Sequence, residues 1–300
     1  MLFLMLGLAG LAGLGALMSS NDDNEPPEDP EDPYGDREVI EGTRDEDVDD
    51  TITGSDADEA ILAYDGDDLV DGGAGDDRIW TGYGNDTVAA AAGNDLVYLG
   101  GDDDLYGAYN PGFDEGQDTI SGGSGRDVII TNGGTHEIYG DGNPNDVNDN
   151  DDDYGSNDSI YDNGGTVYVE GGYGDDLIWS PDASDPEAPD TLLGGDGADT
   201  IYAGAYDIVD GERGSDVYIL DGTAGGPADI TWGGNDRIQV LLPDGYEGEG
   251  EVAFEQDGDD VVMTVDGNQI AVLRDADVRD VRHTIISEDD LPVPPWVEGS

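Results

Sequence analysis

Written in nines, residues 72–98 read GGAGDDRIW, TGYGNDTVA and AAAGNDLVY. In each block a glycine stands at position four, an aspartate at position six and an aliphatic residue at position eight. Self-similarity at a short fixed period is typical of solenoids, in which each unit packs mainly against its neighbours. The chain is therefore predicted to be a repeat protein.

The same nine-residue frame extends well beyond these blocks. It runs without a break from residue 45 to residue 107 and ends in a remnant at residue 239. Three insertions interrupt it, at residues 108–112, 140–152 and 180–184, and we expect them to loop out between repeats. Complete G-G-x-G-x-D cores begin at Gly72, Gly122, Gly171 and Gly194, and cores that lack one glycine begin at Thr81 and Gly211.

The charge of the chain limits its partners. Of 300 residues, 74 are acidic, 9 are Lys or Arg and none is Cys, which gives a net charge of −65. So acidic a chain stays expanded unless cations join it, because neighbouring carboxylates repel each other. Nucleic acid is excluded as a partner, since phosphate contacts need clustered basic side chains. Thiol chemistry is excluded by composition.

The cores quoted above resemble the RTX, or haemolysin-type, calcium-binding nonapeptide repeat. This resemblance implies an all-β fold, a parallel β-roll or β-solenoid in which two nonapeptides form one coil and several Ca²⁺ ions lie between stacked turns. It also implies a bacterial protein, often secreted by a type I machinery. The implied metal ligands are position-four glycines and position-six acids, namely Asp68, Gly75, Asp77, Gly84, Asp86, Gly93, Asp95, Asp104, Asp118, Gly125, Asp127, Asp158, Gly174, Asp176, Asp190, Gly197, Asp199, Gly214 and Asp216.

Alternation of successive repeats between two sides predicts two rows of turns. The first, called the Asp127 row, has an acid at every level, at Asp50, Asp68, Asp86, Asp104, Asp127, Asp158, Asp176, Asp199 and Asp216. The second, called the Asp190 row, contains Glu59, Asp77, Asp95, Asp118, His136, Val167 and Asp190. Because His136 and Val167 interrupt it, we expect a near-continuous calcium row on one face and a broken row on the other. This expectation assumes that residues 140–152 do not change the side.

The two ends of the chain differ from the repeats. Residues 1–18 (MLFLMLGLAGLAGLGALM) carry no charged or polar side chain, and about 20 apolar residues span a bilayer. No basic residue and no small-x-small cleavage site accompany them, which favours an inner-membrane or cell-surface anchor over a signal peptide. Residues 19–44 are acidic and rich in proline, as in a disordered linker.

Alternating strands are predicted after the repeats. They lie at residues 251–255, 260–265 and 269–273, the last two joined by a hairpin at Asp266-Gly267. We expect residues 240–286 to form a C-terminal antiparallel β cap on the β-roll of residues 45–239, followed by a tail at 287–300.

The sequence thus predicts an exported or surface-displayed calcium-binding module that folds on calcium. The alternative is a calcium-dependent surface adhesin or matrix component, for which self-association or binding to a protein or glycan partner would be the test. No H-E-x-x-H motif is present and the chain is not expected to be an enzyme. An enzyme would need a concave pocket in residues 240–300.

Overall fold

The computed structural model describes residues 37–44, 48–107, 116–142, 156–181 and 188–291. The predicted anchor, residues 1–18, lies outside this part, as do most of the predicted linker, the insertions and the tail. Within the described residues, no helix is both long enough and apolar enough to cross a membrane.

Nearly all regular structure in the described part is β-strand. The strands of the first half are β1 (Glu38–Glu41), β2 (Thr51–Ser55), β3 (Glu59–Asp65), β4 (Leu69–Ala74), β5 (Arg78–Tyr83), β6 (Thr87–Ala92), β7 (Leu96–Gly101), β8 (Leu105–Tyr106), β9 (Thr119–Ser124), β10 (Val128–Thr131), β11 (Thr135–Tyr139) and β12 (Ser159–Asp162). The second half contains β13 (Thr166–Tyr173), β14 (Leu177–Ser180), β15 (Thr191–Gly197), β16 (Thr200–Ala203), β17 (Ile208–Asp210), β18 (Arg213–Gly214), β19 (Val217–Asp221), β20 (Ala228–Thr231), β21 (Arg237–Leu241), β22 (Val252–Asp257), β23 (Asp260–Val265), β24 (Asn268–Arg274) and β25 (His283–Ile286), and a 3₁₀ turn follows at Glu288–Asp290.

Successive strands alternate between two parallel sheets. In the described residues, one sheet has 14 strands and runs from β1 through the odd-numbered strands to β17, then through β20 to β24, β23 and β22, with β18 beside β15. The other has 11 strands and runs from β2 through the even-numbered strands to β16, then β19, β21 and β25. In uninterrupted repeats, partners lie two nonapeptides apart, as where Ile61 pairs with Ile79 and Ile52 with Val70. Two repeats therefore form one coil, and the predicted all-β parallel β-roll is confirmed.

The core lies between the sheets and is built from the position-eight residues. Val70, Ile79, Val88 and Val97 are fully buried, and Tyr106 is nearly so. Strand geometry explains this selection, because alternate side chains of a short strand point to opposite faces and position eight faces the other sheet. These residues form one continuous apolar column from Ile52 to the C-terminal strands.

The alternation survives the long insertion after β11. On one sheet β11 pairs with β13, joining Ile138 to Val169, and on the other β10 pairs with β12, joining Ile129 to Ile160. β12 therefore lies in the sheet opposite to β11, so the alternation between sheets is kept, as the assignment of the two rows required.

The C-terminal strands change the pairing from parallel to antiparallel. β24 continues the 14-stranded sheet in parallel with β20, and β23 and β22 then add antiparallel strands. The predicted hairpin is confirmed, with Asp266 and Gly267 at φ 48° and 82° between β23 and β24. The change in direction ends one sheet with an antiparallel unit, whereas β25 continues the other sheet in parallel with β21.

Candidate metal centre: two rows of stacked turns

Each position-six acid of the Asp127 row is tied to the coil before it. One carboxylate oxygen, Oδ1, accepts the backbone N–H of the preceding acid of the row at 2.7–3.1 Å. The chain of contacts runs through Asp50, Asp68, Asp86, Asp104, Asp127, Asp158, Asp176, Asp199, Asp216 and Asp236. The predicted stacking is therefore confirmed, and Asp236, which the sequence showed only as part of a remnant, extends it.

The Asp190 row has the predicted interruption. Asp77, Asp95 and Asp118 accept backbone N–H groups from the preceding coil at 2.8–2.9 Å, as in the other row. His136 and Val167 then occupy position six, and the pattern resumes where Asp190 Oδ1 accepts the N–H of Val167 at 2.8 Å. It ends in Asp207, which accepts the N–H of Asp190 at 3.3 Å.

Asp207 is a position that the sequence analysis missed. Residues 203–210 are one residue short of a nine-residue repeat, so the frame does not show which of them stands at position six. The buried Val209 two residues after Asp207 keeps the usual spacing from acid to aliphatic residue. That spacing is the signal by which the shortened turn could have been found.

The second carboxylate oxygen of these acids is the chemically unusual feature. Although the side chains are 98–100% buried, several Oδ2 atoms have no hydrogen-bond partner. They belong to Asp68, Asp77, Asp104, Asp127, Asp158, Asp176 and Asp199. An unsatisfied buried polar atom costs about 1–3 kcal/mol, and more when charged. A hard cation with oxygen ligands would satisfy these atoms, so the residues fit calcium.

Burial also shifts the protonation of these carboxyls. Removal from water raises the pKa of Asp127 to about 7, of Asp158 and Asp176 to about 8, and of Asp104 to about 10. Hydrogen bonds from the preceding coil oppose the shift, and neighbouring carboxylates in the row add to it for Asp158 and Asp176. Without a cation, the folded turns therefore favour protonated carboxyls, because the charged form has lost its solvation.

Glycines at positions one and four make room for this arrangement. At position one, a β-carbon on Gly171 would lie 2.6 Å from Asp176 Oδ2. At position four, a β-carbon on Gly75 would lie 2.5 Å from the carbonyl oxygen of Ala57, one coil earlier. The other predicted position-four glycines, Gly84, Gly93, Gly125, Gly174, Gly197 and Gly214, would likewise meet a backbone carbonyl of the neighbouring coil. The rows of turns thus bring backbone carbonyls and carboxylates together.

The sequence analysis also missed a second ladder, at position five. There the side-chain oxygen of Asp67 accepts the N–H of Asn85 at 2.8 Å, one coil later, and Asn85 in turn accepts the N–H of Asp103 at 3.2 Å. The other row repeats this with Asp76 and Asn94. Asp76 is half-buried and the other side chains are exposed, so the ladder satisfies backbone donors at the rim and leaves position six for the interior. The recurring Asp or Asn before the position-six Asp was the signal.

The expectation that insertions lie between repeats is wrong for two of them. A β-carbon on Gly140 would lie 2.6 Å from Asp158 Oδ2, so Gly140 takes position one of the turn that contains Asp158. Similarly, the Ser180 hydroxyl donates to Asp190 Oδ2 at 2.7 Å. Gly140 and Ser180, the first residues assigned to these insertions, therefore stand at position one of a turn. The physical reason is that the stacking contacts use position one and the Asp or Asn residues at positions five and six. Residues can therefore be added after position one at low entropic cost.

Side chains alone do not complete a coordination shell. In the described part of the chain, no group of three or more His, Cys, Asp or Glu side chains is placed to hold a metal ion. Each coil contributes one position-six acid to a row, so backbone carbonyls of the turns would have to supply most remaining ligands. Calcium accepts such carbonyl oxygens, whereas transition metals prefer nitrogen and sulfur ligands.

Comparison with known families agrees with this geometry. The model of the RTX calcium-binding nonapeptide repeat (4 copies) matches residues 46–79, 62–97, 80–108, 114–145 and 187–218. No curated protein matches the chain significantly. The matched segments include turns of both rows on each side of the long insertion, and residues 146–186 are not matched.

Proposed function

Because this chain is an RTX calcium-binding nonapeptide-repeat protein, we propose that it is an exported structural module whose coils form when calcium enters the stacked turns. The unpartnered Oδ2 atoms of the position-six aspartates carry this proposal. They are buried acceptors for which the described fold offers no donor, and calcium supplies the missing positive charge.

The proposed ligands are the position-six carboxylates whose Oδ2 atoms have no donor, together with the backbone carbonyls of the turns, including the position-four glycines named above. The carboxylates hold Oδ1 to the preceding coil and present Oδ2 to the ion. A bound ion between two turns therefore links successive coils, in a chain whose charge of −65 opposes compaction.

Export is proposed from the calcium concentration at which such turns would fold. Extracellular calcium modules have dissociation constants of about 10⁻⁴–10⁻³ M, whereas cytosolic sensors bind at about 10⁻⁷–10⁻⁵ M. A module with sites of the weaker kind would be unfolded before export and fold outside the cell. Tethering through residues 1–18, passage through a secretion machinery, and adhesion to a protein or glycan partner stay predictions from the sequence.

A calcium titration tests the proposal. We expect circular dichroism to show a largely unfolded chain in chelator and a cooperative gain of β-structure as calcium approaches millimolar concentration. Magnesium should not replace calcium, because it demands tighter octahedral geometry and keeps its water ligands. Equal β content in chelator and in calcium would contradict the proposal.

A pair of variants assigns the effect to the turns. Asp127→Asn removes the charge of a buried carboxylate in a row and should raise the calcium concentration at the folding midpoint. Asp277→Asn removes an exposed carboxylate that pairs with Arg279 in the C-terminal region, and it should leave that midpoint unchanged. Equal shifts in both variants would mean that net charge, and not coordination, controls folding.

A further inference from the structure

The two rows differ in how the second oxygen of each acid is satisfied. In the Asp127 row, the Oδ2 atoms of Asp104, Asp127, Asp158, Asp176 and Asp199 have no partner. In the later part of the Asp190 row, by contrast, side-chain and backbone donors of the chain lie against the corresponding oxygens.

The first replacement is at His136. Its Nδ1 lies 3.1 Å from Asp118 Oδ2, and the two side chains are 1% and 0% exposed. Its Nε2 contacts the carbonyl oxygen of Gly133. The imidazole therefore lies between a carboxylate and a turn carbonyl, the same two kinds of oxygen that calcium would join.

The next coil substitutes a different carboxylate. Position six is Val167, but the buried Asp162 stands at position one. Its Oδ1 accepts the Thr131 hydroxyl at 2.9 Å and its Oδ2 accepts the Gly164 N–H at 3.1 Å. Both oxygens are thus satisfied by the protein.

The last two coils of this row complete the series. Asp190 Oδ2 accepts the Ser180 hydroxyl at 2.7 Å, and Asp207 Oδ2 accepts the Gly204 N–H at 2.6 Å. From His136 to Asp207, the Asp190 row therefore has an imidazole, a valine or a hydrogen-bonded aspartate at each level, whereas the Asp127 row has unpartnered oxygens from Asp104 to Asp199. Earlier in the Asp190 row, Asp77 Oδ2 has no partner, so the difference begins partway along the solenoid.

We propose that donors of the chain itself replace calcium in the Asp190 row from Asp118 to Asp207, so that the C-terminal half of the solenoid takes up calcium on one face only. This inference rests on the proposed function and specifies which of the turns bind calcium. It makes the N-terminal coils dependent on calcium at both rows and the later coils dependent on it at the Asp127 row alone.

A matched pair of variants tests the inference. Asp176 and Asp190 are each 2% exposed, and each accepts a backbone N–H of the preceding coil at 2.8 Å through Oδ1. Asparagine keeps one oxygen and removes the charge. By equilibrium dialysis of the full chain at saturating calcium, Asp176→Asn should bind at least one ion fewer than the unmodified protein, and Asp190→Asn should bind the same number.

A third variant tests the same idea by gain of binding. His136→Asp removes the imidazole and restores the acid that the row lacks at that level, so it should bind one ion more than the unmodified chain. This readout keeps the test decisive if Asp176→Asn fails to fold.

The outcomes separate this inference from the function on which it rests. Equal loss of calcium in Asp176→Asn and Asp190→Asn would overturn the one-sided loading and leave calcium-dependent folding intact. An unchanged number of ions in His136→Asp would also overturn it. If the unmodified chain bound no calcium, the proposed function itself would fail.

Discussion

The stacked turns and the C-terminal antiparallel unit use the same acidic residue in opposite ways. In the turns, Asp176 is buried and its pKa is raised to about 8, chiefly by loss of solvation. In the antiparallel unit, Asp266 is exposed and accepts the Tyr246 hydroxyl and the backbone N–H of Glu251, which lowers its pKa. An aspartate therefore needs a metal ion only where it is buried without a hydrogen-bond donor.

The antiparallel unit also has its own positive charge. Arg274 donates to Asp229 of β20 and, at 2.8 Å, to Asp260 of β23, so one guanidinium joins β20 to the hairpin. Its core is apolar, with Val261, Met263 and Val265 fully buried. Three strands with one apolar face can hold together without an ion. The two regions should therefore respond differently to calcium removal.

The largest expected effect is regional loss of structure on chelation. Hydrogen–deuterium exchange should show that amides of β2–β19 lose their protection when a chelator is added, because the rows of turns lose their cations. Amides of β22–β24 should keep measurable protection, because no calcium site is proposed there. Equal loss of protection in both regions would break the comparison and show that the antiparallel unit depends on the solenoid for its stability.

A smaller effect is expected from one added methyl group. Gly73, in a turn, and Gly267, in the hairpin, have similar φ angles of 87° and 82°. A β-carbon on Gly73 would lie 2.1 Å from the carbonyl oxygen of Ser55, whereas one on Gly267 would meet nothing within 4 Å. Alanine at either site pays the left-handed backbone strain of about 1–2 kcal/mol, and at Gly73 a steric cost of about 1–3 kcal/mol is added.

Urea denaturation in calcium measures this pair. Gly73→Ala should lower the free energy of unfolding by about 2–5 kcal/mol and Gly267→Ala by about 1–2 kcal/mol. Similar losses in the two variants would show that the coils can move apart to admit a methyl group, which the close approach of their backbones does not predict.

The smallest effect concerns pH in calcium-free buffer. Burial raises the pKa of Asp158 and Asp176 from 3.8 to about 8 in the folded state. Between these values the folded chain binds more protons than the unfolded chain, so its stability falls as pH rises. Residual β-structure measured by circular dichroism should therefore be greater near pH 5 than near pH 8.

Calcium should reverse that dependence. Protons and calcium compete for the same carboxylates, so in millimolar calcium we expect the folded state to weaken as pH falls from 8 to 5. A dependence of the same sign with and without calcium would show that the buried carboxylates of the rows do not control stability.

Much of this architecture could be predicted from the repeat and from the family that it resembles. Spacing identified the repeated glycine, aspartate and aliphatic positions, and the resemblance implied the two-repeat coil from which the core and the two rows follow. The stacking of Asp127 on Asp158 across the long insertion followed from keeping the frame. The hairpin at Asp266-Gly267 followed from its dipeptide, because both residues tolerate positive φ.

What spacing could not predict depends on contacts between residues distant in the chain. Gly140 and Ser180 stand at position one of their turns. Only their contacts with Asp158 and Asp190 in the folded chain show this. The donor to Asp162 comes from Thr131, 31 residues earlier, and no local pattern indicates it.

The amino-acid sequence by itself therefore determined the repeat and most of its acids, because a period of nine fixes their positions. With the two-repeat coil of the family, that period also assigned each acid to a side. Only the tertiary structure decided which carboxylate oxygens have a donor and which have none. That distinction arises between neighbouring coils, where burial removes water and the facing residue either supplies a hydrogen or does not.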